Sequence, residues 1–294
     1  MKPAPFDYRC PDSIEEALAL LTAYGDDAKL IAGGQSLMPM LNFRVVRPQL
    51  LVDIRRLLEL DFLRARPDGG LSVGALTRHR VLETSPEVAR RFPVVPEAMR
   101  HVAHLAIRNR GTIGGSVAHA DPAAELPMLT RLLDADLILR SSRGERTVAA
   151  ADFFVGTLAT ALRSDEILMR IELPGLPPHG GAFEEFARRA GDFALAAVGV
   201  VLEAADGHIQ GARVAMMGVA DTPLRNSEVE AALIGRVFND ETVTGAVRVA
   251  RETLDPRRDL HASADYRRHL AGVLLERTLR RAWIQAEATT AGGS

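Results

Sequence analysis

The chain has 294 residues, of which 47% are hydrophobic and 25% charged, and a net charge of -2. That length exceeds the usual reach of one hydrophobic core, so two or three subdomains are expected. The near-neutral charge gives no electrostatic reason for nucleic acid or an anionic membrane as a partner. No apolar run approaches the roughly 18–20 residues that span a bilayer, so membrane insertion is not expected. Met1–Cys10 is polar, unlike a signal peptide, which makes a cytoplasmic protein the default. Cys10 is the only cysteine. It allows no internal disulfide, and a lone thiol cannot hold an iron–sulfur cluster, which takes about four thiolates. Any cluster chemistry belongs to another chain.

In chain order, Ser13 and Glu16 form a capping box, with Glu16 expected to reach back to Ser13. Ile14, Ala17, Leu18 and Leu21 follow at helical spacing, and Gly25 is a stop. Lys29–Ala32 is a short apolar strand running into Gly33-Gly34, and Leu50–Ile54 is a second. Residues 1–55 thus read as a β-rich unit with a helix packed on it. Residues 56–175 are mixed: strands at Leu71–Leu76, Asp136–Leu139 and Ile167–Leu173, and a helix over Glu97–Leu105. Pro174–Gly181 is the clearest linker. Beyond it Ala194–Ala204 and Arg213–Val219 are strand-like, with an Asp206-Gly207 turn between them. The third unit, 182–287, ends in an amphipathic helix from Ala264 to Glu287. Its arginine face (Arg267, Arg268, Arg277, Arg280, Arg281) reads as solvated. Residues 288–294 read as a disordered tail.

Two glycine-bearing stretches carry the chemistry. The first, Ala32-Gly33-Gly34-Gln35-Ser36-Leu37, follows a strand. Glycines let backbone amides approach a ligand closely, and successive amides in such a turn make a nest for phosphate oxygens. A tight turn that merely needs glycine explains one such stretch equally well. There is no G-x-G-x-x-G leading into a helix and no P-loop GK[ST], which demotes two common nucleotide folds. The second stretch is Thr112-Ile113-Gly114-Gly115-Ser116, about 80 residues on, where adjacent glycines again have a hydroxyl on each side. Two such loops can close on one pyrophosphate. Glu125, just beyond, suits ribose hydroxyls, and it is equally good as an acid in a helix first turn. His101, His104 and His119 lack a carboxylate or thiolate set at ligand spacing, so no metal site is expected. Arg78 and His79 read as exposed.

The segments AGGQSLMPMLNFR and IRNRGTIGGSVAHADPAAELP closely resemble the flavin-binding motifs of the FAD-binding (medium) subunits of molybdenum hydroxylases. Xanthine, carbon-monoxide and nicotine dehydrogenase medium subunits belong to that group. The similarity runs from Phe6 to about Ala282. It implies an α+β fold of the vanillyl-alcohol-oxidase type: a two-part FAD domain followed by a C-terminal sheet-plus-helix domain. It implies FAD, with the diphosphate at Leu30, Ile31, Ala32, Gly33, Gly34, Gln35, Ser36 and Leu37 and at Thr112, Ile113, Gly114, Gly115 and Ser116. Glu125 is expected at the ribose, Leu168 and Ala103 near the cofactor, and Phe193 beside the flavin ring. Phe193 stands where a tyrosine is often found, so the aromatic face is kept and the hydroxyl lost; a core aromatic in a strand is the other reading.

The resemblance further implies an electron-transfer role. Electrons would arrive from a small [2Fe–2S] subunit and leave to an external acceptor, while a large molybdopterin-binding subunit works on the organic substrate. The alternatives are a stand-alone flavin oxidase, for which no general base is evident, and an interaction subunit that has lost its flavin, against which the intact glycine stretches argue.

Overall fold

A computed structural model describes residues 2–291. The first sheet is parallel: β1 (Asp7–Arg9), β2 (Ala28–Ile31) and β3 (Leu50–Asp53) lie in the order β1-β3-β2. Helix α1 (Ile14–Tyr24) connects β1 to β2, and α2 (Leu37–Asn42) follows the first glycine stretch. Ser13 Oγ accepts from the Glu16 amide at 3.2 Å, which starts α1. Glu16 does not reach back to Ser13: its carboxylate takes the Asp12 amide, at 3.1 Å. Ile14, Ala17, Leu18 and Leu21 bury against Leu50 and Val52. Gly25, at φ +51, ends the helix.

The second part contains β4 (Leu63–Ala65), β5 (Leu71–Gly74), β6 (Asp136–Ser141), β7 (Gly144–Ala149), β8 (Phe154–Gly156), β9 (Ala159–Thr160) and β10 (Ile167–Leu173). All but the β8–β9 hairpin form one antiparallel sheet, ordered β4-β5-β10-β6-β7. Seven short helices cover it: α3 (His79–Thr84), α4 (Pro86–Arg91), α5 (Val94–Met99), α6 (Leu105–Arg108), α7 (Ile113–His119), α8 (Glu125–Leu132) and α9 (Ala150–Phe153). The helix expected over Glu97–Leu105 is displaced toward the N-terminus. Val94, Val95, Ala98 and Met99 are the residues that bury, so α5 registers on them and stops at Met99. Ala103 then takes φ +42, and Arg108 stabilises that bend by donating to the Val102 and Ala103 carbonyls at 2.9 and 3.1 Å.

The third part is an antiparallel sheet of β11 (Gly180–Ala187), β12 (Ala194–Ala205), β13 (His208–Met217) and β14 (Leu224–Arg225), in that order. Helices α10 (Ser227–Leu233), α11 (Asp240–Thr253) and α12 (Ala264–Ala291) complete it. Central β12 is apolar at nearly every position because both faces are covered. Ala196, Val198, Val200 and Leu202 face the core with α12, while Ala197 and Val201 face the core that contains Met128 and Leu132 of α8. Asp206 and Gly207, at φ +50 and +73, make the primed turn between β12 and β13. The expected linker ends early, since Gly180 already pairs with Leu202.

Two expectations for the C-terminus change. Arg267 is buried and not solvated: it donates to the Leu195 and Gly218 carbonyls and pairs with Asp259 at 2.6 Å. Residues 288–291 of the expected disordered tail continue α12, and 292–294 lie outside the described residues. Arg281 ties the parts together. It donates to Phe183 O and Glu184 and pairs with Glu97 of α5, which accepts the Phe183 amide at 3.0 Å. No described helix is long and apolar enough to cross a membrane.

Candidate cofactor site

The three parts line one open cleft of about 760 Å³, within the range of small-molecule sites. Leu30, Ile31, Ala32, Gly33, Gly34, Gln35, Ser36 and Leu37 line it from the first part. Ala103, Thr112, Gly114, Gly115, Ser116, Glu125 and Leu168 line it from the second, and Phe193 from the third. Ile113 is the exception: its side chain is 3% exposed and lies in the core.

The two glycine stretches touch. A Cβ on Gly33 would meet Arg110 O at 2.3 Å and Gly111 Cα at 2.9 Å, so only glycine lets the loops close to this distance. They differ in what they offer. Among the described residues, no backbone amide from Ala32 to Leu37 donates to a protein acceptor. Gln35 folds back instead, its side-chain amide on Gly33 O at 2.7 Å, and Gly34 turns the chain at φ +71. Half-buried amides need partners, and a consecutive run of them suits a diphosphate.

The second stretch has its amides from Ile113 to Ser116 satisfied. Ile113 N donates to Thr77 O, Gly114 N to Ala75 O, Gly115 N to Thr112 Oγ1 and Ser116 N to Thr112 O. Thr112 is the N-cap of α7, which spends on the protein the amides a nest would keep free. Gly114 is glycine because a Cβ would meet the Ala75 Cβ at 2.5 Å. Gly115 is exposed to the cleft, where a bare backbone permits close approach. This stretch is thus a preformed wall. The Ser36 and Ser116 hydroxyls make no hydrogen bond to described residues, so both remain available as donors.

Glu125 opens α8, as a first-turn acid, and also faces the cleft. Burial, then the charges of Glu185 and Asp121, push its carboxyl up to about 8. Behind it, the Glu185 side chain is 4% exposed, lies 3.5 Å from His101 Nδ1, and has one oxygen without a partner. Leu168 is buried beside a bulge in β10. Phe193 is not a core strand residue: it precedes β12, is 64% exposed and stands at the rim.

Sequence reasoning missed His79. It is 6% exposed, lines the cleft, and its Nε2 lies 3.0 Å from Thr112 O. Burial, helped by the Arg78 and Arg108 charges, lowers its pKa to about 4, so the ring is neutral. The exposed position expected for it fails because α3 is covered by the Gly111–Thr112 backbone, a contact made by residues far along the chain. No three His, Cys, Asp or Glu side chains among the described residues come together as metal ligands.

Residues 4–176 match the FAD binding domain in molybdopterin dehydrogenase, and residues 181–282 the CO dehydrogenase flavoprotein C-terminal domain. The chain belongs to this flavoprotein family. It is an oxidoreductase subunit of the molybdenum hydroxylase group, with FAD as its cofactor. The 6-hydroxypseudooxynicotine dehydrogenase complex subunit alpha of Paenarthrobacter nicotinovorans is 43% identical, over 98% of both chains. The carbon monoxide dehydrogenase medium chain of Hydrogenophaga pseudoflava is 38% identical, over 97% of this chain and 99% of that one. Among solved structures, a chain of carbon monoxide dehydrogenase from Hydrogenophaga pseudoflava superimposes with a TM-score of 0.94 at 40% identity, covering 97% of this chain and 99% of that one. A chain of quinoline 2-oxidoreductase from Pseudomonas putida 86 gives 0.92 at 41%, covering 97% and 100%. The α+β fold of the flavoprotein is therefore that of its relatives. Its free amides at Ala32–Leu37 and the bare backbone at Gly115 fit a dinucleotide.

Proposed function

We propose that this flavoprotein carries electrons from a small [2Fe–2S] subunit to an external acceptor, in a cytoplasmic complex whose large subunit holds the molybdopterin and acts on the organic substrate. The observation that carries the proposal is the near full-length similarity to a named medium chain of such a dehydrogenase. Cys10 alone cannot ligate a cluster, which supports placing the clusters on another chain. Bound FAD supplies the chemistry, because it exchanges electrons both singly and in pairs.

The chain's own residues bind and orient the cofactor. In this reading Ala32–Leu37 donate their amides to the diphosphate, with the Ser36 and Ser116 hydroxyls adding to them. Leu30 and Ile31 form the wall beside that loop. Thr112–Ser116 form the opposite wall, Ile113 anchoring it from the core. Glu125 accepts from the ribose hydroxyls, which favours its ionised form. Ala103, Leu168 and Phe193 surround the ring, Phe193 by its face.

The test is to purify the chain with and without its partner subunits and follow flavin absorbance on adding the organic substrate. Bleaching is expected only in the complex. Rapid bleaching of the isolated chain overturns the relay and favours a stand-alone oxidase.

A further inference from the structure

His79 occupies the space directly beneath the second glycine loop. Its ring lies so close to Gly111 that a Cβ there would meet Cε1 at 2.7 Å and Nδ1 at 2.8 Å. Gly111 has no positive φ that would call for glycine. The ring is the tightest obstacle to a side chain there, with Ile107 O next at 3.2 Å. The first loop also meets Gly111, since a Cβ on Gly33 would fall 2.9 Å from Gly111 Cα. Gly111 thus contacts both the imidazole and Gly33 with no side chain of its own between them.

Hydrogen bonds fix this stack at two points. The His79 amide donates to Gly111 O at 3.0 Å, and the ring Nε2 lies 3.0 Å from Thr112 O. A carbonyl only accepts, so Nε2 carries the proton. Nδ1 is then a bare acceptor, and it is buried with no partner. An unsatisfied buried nitrogen costs free energy that leucine would avoid. The ring adds a second donor to the Thr112 carbonyl, which already accepts from Ser116 N at 3.1 Å, and Thr112 caps the helix bearing Gly115 and Ser116.

We propose that His79 is a positioning residue of the cofactor site, the wedge that sets the spacing between the two loops and so the width of the diphosphate cradle. This rests on the reading that those loops hold the FAD diphosphate. The imidazole sits at the edge of the cleft, packed on the backbone of the second loop. It acts through Gly111 and Thr112.

The experiment is a double-mutant cycle in the purified complex, reading the rate of FAD release and, separately, the melting temperature. Gly111→Ala alone should speed release about tenfold, the scale of one buried hydrogen bond and its contacts. In the His79→Ala background the same change should cost clearly less, because the ring it strikes is gone and only the looser contact with Ile107 O remains. His79→Gln, which keeps a donor on a thinner side chain, should restore slow release where His79→Leu does not, at matched melting temperature. Should His79→Ala fail to fold, the cycle runs in the His79→Gln background, where the Gly111→Ala cost should also shrink. An undiminished cost in both backgrounds, or wild-type release in Gly111→Ala, overturns the wedge. Ser116→Leu separates the two readings, since its side chain fills the cleft and leaves the Thr112 cap in place. If Ser116→Leu retains FAD normally, the cradle lies elsewhere. If it loses FAD while the His79 and Gly111 variants do not, the wedge alone falls.

Discussion

Gly33 and Arg110 meet backbone to backbone, with a Cβ at Gly33 falling 2.3 Å from the Arg110 carbonyl oxygen. A backbone carbonyl cannot swing aside as a side chain does. Gly33→Ala must therefore push the loops apart, and overpacking of this kind costs about 1–3 kcal/mol. FAD content after purification should fall sharply, with the β1–β3 sheet still folded by circular dichroism. A Gly33→Ala protein that binds FAD as wild type does would show that the contact is not needed.

Glu125 gives a pH dependence with a defined sign. Its carboxyl is pushed up to about 8 by burial, with Glu185 and Asp121 adding to the effect, against about 4.3 for a free glutamate. The folded chain holds a proton that the unfolded chain releases between those values. This group's contribution is thus fully present below about pH 4.3 and lost as pH rises through about 8. Glu125→Gln cannot ionise. Stripped of FAD, it should lose less stability than wild type between about pH 6 and 9, melting higher by about 2–4 °C at the alkaline end. Identical melting profiles would refute the assignment.

Arg281 bridges Glu97 of α5 and Glu184 of β11 while donating to Phe183 O. Arg281→Ala leaves Glu97 without its cation between two packed parts. We expect a loss of about 1–3 kcal/mol in urea unfolding, and less for Glu97→Gln, which keeps an oxygen for the Phe183 amide. Equal midpoints for wild type and Arg281→Ala would show the tie to be idle.

Phe193, exposed at the rim, should matter to access and little to stability. Phe193→Ala is expected to shift stability by less than about 0.5 kcal/mol, as exposed substitutions do. It should also speed reoxidation of the reduced complex by dioxygen in stopped-flow traces. Phe193→Tyr, which keeps the ring, should leave that rate near wild type. If Phe193→Ala reoxidises no faster, the ring is not a cover.

Much of this was legible because the informative segments are local. The run Ile167–Leu173 is a strand with the bounds expected for it, with Ile167, Leu168, Met169, Ile171 and Leu173 buried and Arg170 and Glu172 on its half-exposed side. Ala32–Leu37 follows its strand as its composition implies. What escaped depends on distant chain. β11 opens with Gly180-Gly181, which read as the end of the linker until Ala282 and Ala286 of α12 are seen against Gly180. Arg267 and His79 look like surface residues because the carbonyls that receive them, Leu195, Gly218 and Thr112, belong to other elements. The second glycine stretch looked like a copy of the first. Its neighbours Thr77 and Ala75 had already taken its amides.

That asymmetry has a kinetic consequence. The wall at Thr112–Ser116 is complete before any cofactor arrives, whereas the amides of Ala32–Leu37 wait for an outside acceptor. In deuterium exchange the first loop should label quickly in stripped protein and slowly in loaded protein, while the second changes little. Cofactor capture then becomes the ordering step of the loop that follows β2, and free FAD concentration sets how much of the chain has that loop ordered.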